Sequence, residues 1–195
     1  MKHGRITSVL VALNIAMYLL EVFMSGSFVW INTAVLARLG QVNYYVLHGA
    51  WWQLITAMFV HVGILHIALN MFFLYQLGSQ LENLFGGRVL LLTYLISGLA
   101  GNLLTLLFLP PYTISAGASG AVFGVVGVLI MATGIMGGNM AAAVLNAFIL
   151  FAINSIFPGV NAYAHLGGLL TGSVIGLYKG KELKRKMFER MYAGL

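Results

Sequence analysis

Long apolar runs separated by brief polar connections leave this chain one kind of solvent in which to fold. Only 7% of its 195 residues are charged, against 61% hydrophobic, where a soluble domain carries roughly 25% charged residues. A helical bilayer crossing needs about 20 apolar residues, and such runs recur along the sequence. They predict an all-α polytopic membrane protein. Six transmembrane helices in a compact bundle are expected near residues 6–24, 54–78, 89–109, 119–137, 140–157 and 161–178. The third run stops at Pro110-Pro111 and the fifth at Pro158-Gly159, because proline cannot continue a helix. The first run is followed by no small-residue cleavage pattern, so it reads as a retained span rather than a signal peptide. Repeats and low-complexity tracts are not evident, and residues 1–195 read as one domain.

The charges fix an orientation. The net charge of +6 would suit nucleic acid, but its distribution argues for no nucleic-acid partner. Eight of ten basic residues lie in the terminal stretches: Lys2, Arg5, Lys179, Lys181, Lys184, Arg185, Lys186 and Arg190. Basic residues beside spans mark the cytoplasmic side, so both termini are expected there, as an even number of spans requires. Arg88, between spans two and three, falls on the same side. The opposite connection, Ser25 to Gln53, is long and carries Trp30, Trp51, Trp52, Tyr44 and Tyr45. Tryptophan and tyrosine favour the headgroup level, so this first outer loop is expected to be partly membrane-embedded. Cysteine is absent, which excludes disulfides and thiolate catalysis. With no added soluble domain, the expected setting is a bacterial inner (plasma) membrane.

Four polar side chains sit where hydrocarbon is expected. Ser119 opens an apolar run within Gly117-Ala118-Ser119-Gly120, and His165 opens another within Ala164-His165-Leu166-Gly167-Gly168. Intramembrane polar groups are costly and mark function by default. A hydroxyl nucleophile needs a base, which histidine supplies. The glycines at 117 and 120 permit a tight turn and close backbone approach, and a helix start presents free N–H groups to negative charge. The plainer use of Ser119 is as a small packing residue or an N-cap. Gly168, Gly172 and Gly176 repeat at spacing four, the pattern of closely packed membrane helices. Packing of span six on span four would bring His165 level with Ser119.

His66 and Asn70 are four apart and share a helix face, where two donors can meet a developing oxyanion. Interhelical polar contact is their plainer use, as it is for Asn102, Asn146 and Asn154. In sequence no acidic residue of an apolar run stands near His165. Glu21 is on span one and Glu82 at the cytoplasmic end of span two, so a Ser-His dyad is expected rather than a triad. Metal binding is not expected. His61 and His66 are five apart, unlike the i, i+4 pair of helical zinc sites, and no carboxylate is local.

These blocks resemble the rhomboid intramembrane serine proteases in their minimal six-span bacterial-type form. The similarity rests on Trp51-Trp52, the segment His61 to Asn70, Gly117-Ala118-Ser119-Gly120, and Ala164-His165 with Gly168 and Gly172. It runs from about Gly49 to Gly176. The resemblance implies that Ser119 attacks the scissile carbonyl and that His165 is general base, then general acid. It implies an oxyanion hole of His66, Asn70 and the Ser119 N–H. His61 would support the loop above the site, and Phe123 would pack against His165. Glu82, Gly86 and Arg88 resemble a structural helix-end motif. Span five resembles the lateral gate, and no cofactor is implied.

The chain departs from the family pattern at Gln53, where arginine is common, and at Ala50, where an acidic residue is common. Those positions brace the embedded loop in the family. The implied substrates are single-span transmembrane proteins whose helix ends unwind easily within the lipid bilayer. One alternative is a non-catalytic rhomboid-fold binding or quality-control factor, against which the intact Ser119 and His165 count. A transporter or channel would instead need a polar path across the whole bilayer, and usually internal repeats.

Overall fold

In the computed structural model, residues 4–157 and 159–193 are described. Lys2 and Pro158, both used above, lie outside them. Six helices of sixteen residues or more dominate: α1 (Arg5–Ser25), α5 (Ile64–Phe85), α6 (Gly87–Phe108), α7 (Ser119–Gly137), α8 (Met140–Ser155) and α9 (Ala162–Ala193). By length and apolarity α1, α6 and α7 each suffice to cross a membrane, and α8 is a shorter apolar helix.

Three short helices lie between α1 and α5: α2 (Thr33–Leu39), α3 (Asn43–Leu47) and α4 (Gln53–Thr56). The all-α expectation needs one small correction, because β1 (Gln41–Val42) and β2 (Ile114–Ser115) pair antiparallel, Gln41 opposite Ser115.

The second predicted span is displaced. Its helix begins at Ile64 rather than near residue 54 and runs on to Phe85. Residues 57–63 are apolar enough to read as helix, but tertiary hydrogen bonds hold them irregular. The Gly117 N–H donates to Ala57 O at 2.9 Å, and the His61 N–H donates to Glu21 Oε2 at 3.0 Å. Gly63 bridges Trp30 in an antiparallel pair. The last helix continues well beyond residue 178, carrying most of the basic residues outward.

The bundle is inverted relative to a soluble protein. Apolar side chains face outward on the long helices around the buried α7, among them Phe23, Leu65, Leu107, Phe148 and Val174, while Asn14, Glu21, Thr93, Ser97 and Asn102 are buried. Such polar groups need internal partners. Asn14 donates to Tyr94 Oη at 3.0 Å, and Tyr94 donates to Met58 O at 2.9 Å. Asn102 crosses to Leu54 O at 2.9 Å, the interhelical role expected of it. At the opposite end the Glu82 carboxylate accepts the Ile6 and Thr7 N–H groups at 3.0 and 2.8 Å. It thereby caps α1, whose first N–H groups have no intrahelical acceptor.

The long first loop is built rather than loose. Gln53 is buried; its Oε1 accepts the Val42 N–H at 2.9 Å and its Nε2 donates to Ala37 O at 2.9 Å. Glutamine therefore braces this loop from the position where arginine is common. The three tryptophans project outward, each more than half exposed.

The tightest seam joins α7 and α9. A Cβ added to Gly168 would strike Gly120 O, and one added to Gly172 would strike Gly124 O. The register continues with Gly176 on Val128 and Gly180 on Ala132. A constant offset at four successive positions means parallel helices in backbone contact, as the spacing-four glycines predict.

Candidate active site

Ser119 is the first residue of α7, half-buried, with Ala118 at the N-cap. The chain reaches it through Gly117 at φ 138°, a conformation that disfavours any side chain. Space forbids one too, since a Cβ on Gly117 would lie 2.8 Å from His66 Cε1 and 3.0 Å from its Nε2. The same point is 3.7 Å from Ser119 Oγ, so the serine hydroxyl and the His66 ring edge flank one small space.

The His66 tautomer follows from its contacts. Nδ1 accepts the Val62 N–H at 3.4 Å, which leaves the ring proton on Nε2, facing the Ser119 turn. The first N–H groups of α7, which begins at Ser119, lack intrahelical acceptors. Asn70 is buried, and one of its amide hydrogens goes to His66 O at 2.9 Å; a second hydrogen remains on the same nitrogen.

His165 lies on the first turn and a half of α9, 5% exposed. Its ring stacks on Phe123 with centroids 4.2 Å apart and planes 22° from parallel. Phe123 is one helical turn after Ser119, on the same face of α7. Ala164 O, next to His165, is 3.1 Å from the Cβ position of Gly120. Glycines 120, 168 and 172 thus set the approach of the two helices that carry Ser119 and His165.

Three contributors were not anticipated. Ser155, at the end of α8, has its Oγ 3.2 Å from His165 Nδ1. Asn161 caps α9 by accepting the Ala164 N–H at 3.0 Å, and its amide donates to Thr105 Oγ1 and Ser115 Oγ, both at 2.8 Å. This pins the start of α9 to α6 and β2. Glu21 is fully buried, and its bond to the His61 backbone corrects the expectation that no carboxylate is local to the histidine pair. His61 donates from Nδ1 to Phe59 O at 3.1 Å, and its ring meets that of His66 edge-on at 5.2 Å. It supports the loop before α5 rather than riding on that helix.

Two asparagines expected between helices make no side-chain bond to another helix among the described residues. Asn154 bonds within its own helix, to Leu150 O at 2.9 Å. Asn146 lines a cavity of about 420 Å³ between α5, α7 and α8, with Gln80, Thr133, Gly134 and Ala142.

Residues 48–182 match the family model of the Rhomboid domain. The chain is 31% identical over 191 residues to the Rhomboid protease GluP of Bacillus subtilis (strain 168), covering 93% of this chain and 37% of that protein. It is 38% identical over 153 residues to RHOMBOID-like protein 6, mitochondrial, of Arabidopsis thaliana, covering 74% and 50%. With Rhomboid-like protease 3 of Toxoplasma gondii the identity is 30% over 153 residues, covering 73% and 58%. The chain spans less than two thirds of the length of each.

Proposed function

The chain belongs to the rhomboid family and is an integral membrane protein, and on that premise we propose that it is an intramembrane serine endopeptidase using Ser119 and His165. The observation that carries this reading is the space beside Gly117, flanked by Ser119 Oγ and the His66 Nε2 edge, with His165 stacked one turn along α7.

In this mechanism the Ser119 Oγ attacks the scissile carbonyl carbon while its proton passes to Nε2 of a neutral His165. The resulting oxyanion accepts hydrogen bonds from His66 Nε2–H, the free Asn70 amide hydrogen and the Ser119 N–H. The C–N bond then breaks, and His165 returns the proton to the leaving amine. Water repeats the cycle on the acyl-serine: His165 takes its proton, the acid departs, and the serine recovers its hydrogen. The Ser155 hydroxyl can accept a proton held on Nδ1, and in that tautomer Nε2 is bare as the base.

The substrates are single-span membrane proteins. A membrane helix holds its carbonyls in its own hydrogen bonds, so the cleavable ones carry helix-weakening residues near the cut. The cleft between α5 and α8 is the lateral access, with α8 as its movable wall. Residues 1–195 form one six-span domain in a bacterial plasma membrane in this proposal, with both termini cytoplasmic and the site open to the outer side. The terminal basic residues support that orientation.

The test is cleavage of a single-span substrate with a helix-weakened end, in liposomes, by the wild type, Ser119→Ala and His165→Ala. Loss of cleavage in both folded variants is the expected result. Survival of cleavage in Ser119→Ala refutes the nucleophile. A wild type that retains several such substrates uncut is instead a binding factor.

A further inference from the structure

Arg38 is a cation without a counter-charge. The chain holds four acidic residues in all, Glu21, Glu82, Glu182 and Glu189. Glu21 is fully buried inside the bundle. The other three are engaged at the far end: Glu82 on the start of α1, Glu182 with Lys179 and Lys186, and Glu189 with Arg185. Every other lysine and arginine also belongs to that end or to the terminal segments, which leaves Arg38 alone at the end where α7 and α9 begin. Its side chain is exposed, and its guanidinium has no hydrogen-bond or ionic partner among the described residues.

Arg38 lines an open pocket of about 680 Å³ between α2, α3 and α4, together with Tyr45, His48, Ala50, Trp52 and Gln53. The pocket is built, not incidental. Gln53 forms its floor and ties α2 to α4 through Ala37 O and Val42 N. His48 is fixed by a 2.7 Å bond from Nδ1 to Tyr44 O and by stacking on Tyr44 at 4.1 Å. Trp52 and Tyr45, both partly exposed, supply an apolar wall with polar tips, the side chains that favour the headgroup level of a bilayer. The small Ala50 keeps the floor open.

We propose that this pocket holds the phosphate of a phospholipid headgroup, bound by the Arg38 guanidinium with its glycerol and acyl region against Trp52 and Tyr45. No acidic side chain among the described residues is left to pair with Arg38, and at headgroup depth the abundant anion is lipid phosphate. A planar guanidinium meets two phosphate oxygens at once, and the aromatic wall selects a lipid over a free ion. A seated lipid would join α2, α3 and α4 from the outside, as Gln53 joins them from within.

The test uses the purified full chain in dodecyl maltoside, which carries no phosphate. Retained lipid is counted by native mass spectrometry during titration with dioleoylphosphatidylglycerol, dioleoylglycerol or inorganic phosphate. The wild type is expected to keep one phosphatidylglycerol and to ignore dioleoylglycerol. Arg38→Gln should bind it about five- to tenfold more weakly, Arg38→Lys should fall between, and Trp52→Leu should also lose affinity. Equal retention by wild type and Arg38→Gln overturns the proposal. So does equal binding of dioleoylglycerol, which would make the pocket merely apolar, or full displacement by equimolar inorganic phosphate, which would make it a free-anion site.

Discussion

The Ser155 hydroxyl lies 3.2 Å from Nδ1 of His165, joining the last residue of α8 to the first turns of α9. Among the described residues no acidic side chain takes that place, so the imidazole is oriented by a neutral partner. The consequence is a base whose direction depends on where α8 ends.

Ser155→Ala should therefore lower kcat by about two- to tenfold, the worth of one neutral hydrogen bond, with little change in KM. Ser155→Thr, which keeps the hydroxyl, should restore most of it. Steady-state cleavage of a single-span substrate measures both.

The glycine seam gives a sharper expectation. Gly172→Ala places a methyl against Gly124 O, and backbone cannot rotate out of the way as a side chain can. We expect a loss of about 1–3 kcal/mol, seen as a lower thermal midpoint in detergent. Val174→Ala, two residues away on an exposed face, should leave the midpoint nearly unchanged.

Gln53→Ala strips the Val42 N–H and Ala37 O of their partner. Buried groups left unsatisfied cost about 1–3 kcal/mol. Faster amide exchange confined to residues 37–42, with α7 and α9 unaffected, is the expected signature.

On the helical extension past residue 178, hydrogen bonds from Lys179 and Lys186 hold the Glu182 carboxyl down at about 2, below an ordinary value of about 4.3. A depressed carboxyl stabilises the folded form above its ordinary pKa and loses that contribution as pH falls from about 4 toward 2. Carbon-detected NMR of Glu182 should show the low midpoint, and Lys179→Met with Lys186→Met should return it to the ordinary range. Added salt should narrow the difference, since these charges face solvent.

Hydropathy and glycine spacing carried much of this architecture. The bounds of α7 match the expected 119–137 because Gly117 and Gly138, both at positive φ, bracket it. The second span misled by ten residues, since Leu54, Met58 and Val60 are as apolar as any helix interior. What holds their segment irregular is a set of bonds to Glu21 and Gly117, each remote in sequence. Polarity in an apolar run marked Ser119, His165, His66 and Asn70. It also marked Glu21, but its partner lies 40 positions away. Ser155 gave no such mark, because a serine at the end of an apolar helix is ordinary. Asn161 was visible in principle as a capping residue before α9.

The contact of α7 with α9 also divides the positions of this protein by how many residue types each can host. At Gly168 and Gly172 the facing atom is a carbonyl oxygen of the neighbouring backbone, so nineteen of the twenty side chains carry a carbon that has no room. Half a turn around the same helix, Leu170 and Val174 face outward and can be exchanged for almost any apolar residue. Drift in sequence would therefore run along the outer faces and halt at this line. The spacing between Ser119 and His165 would pass unchanged through relatives that share little else.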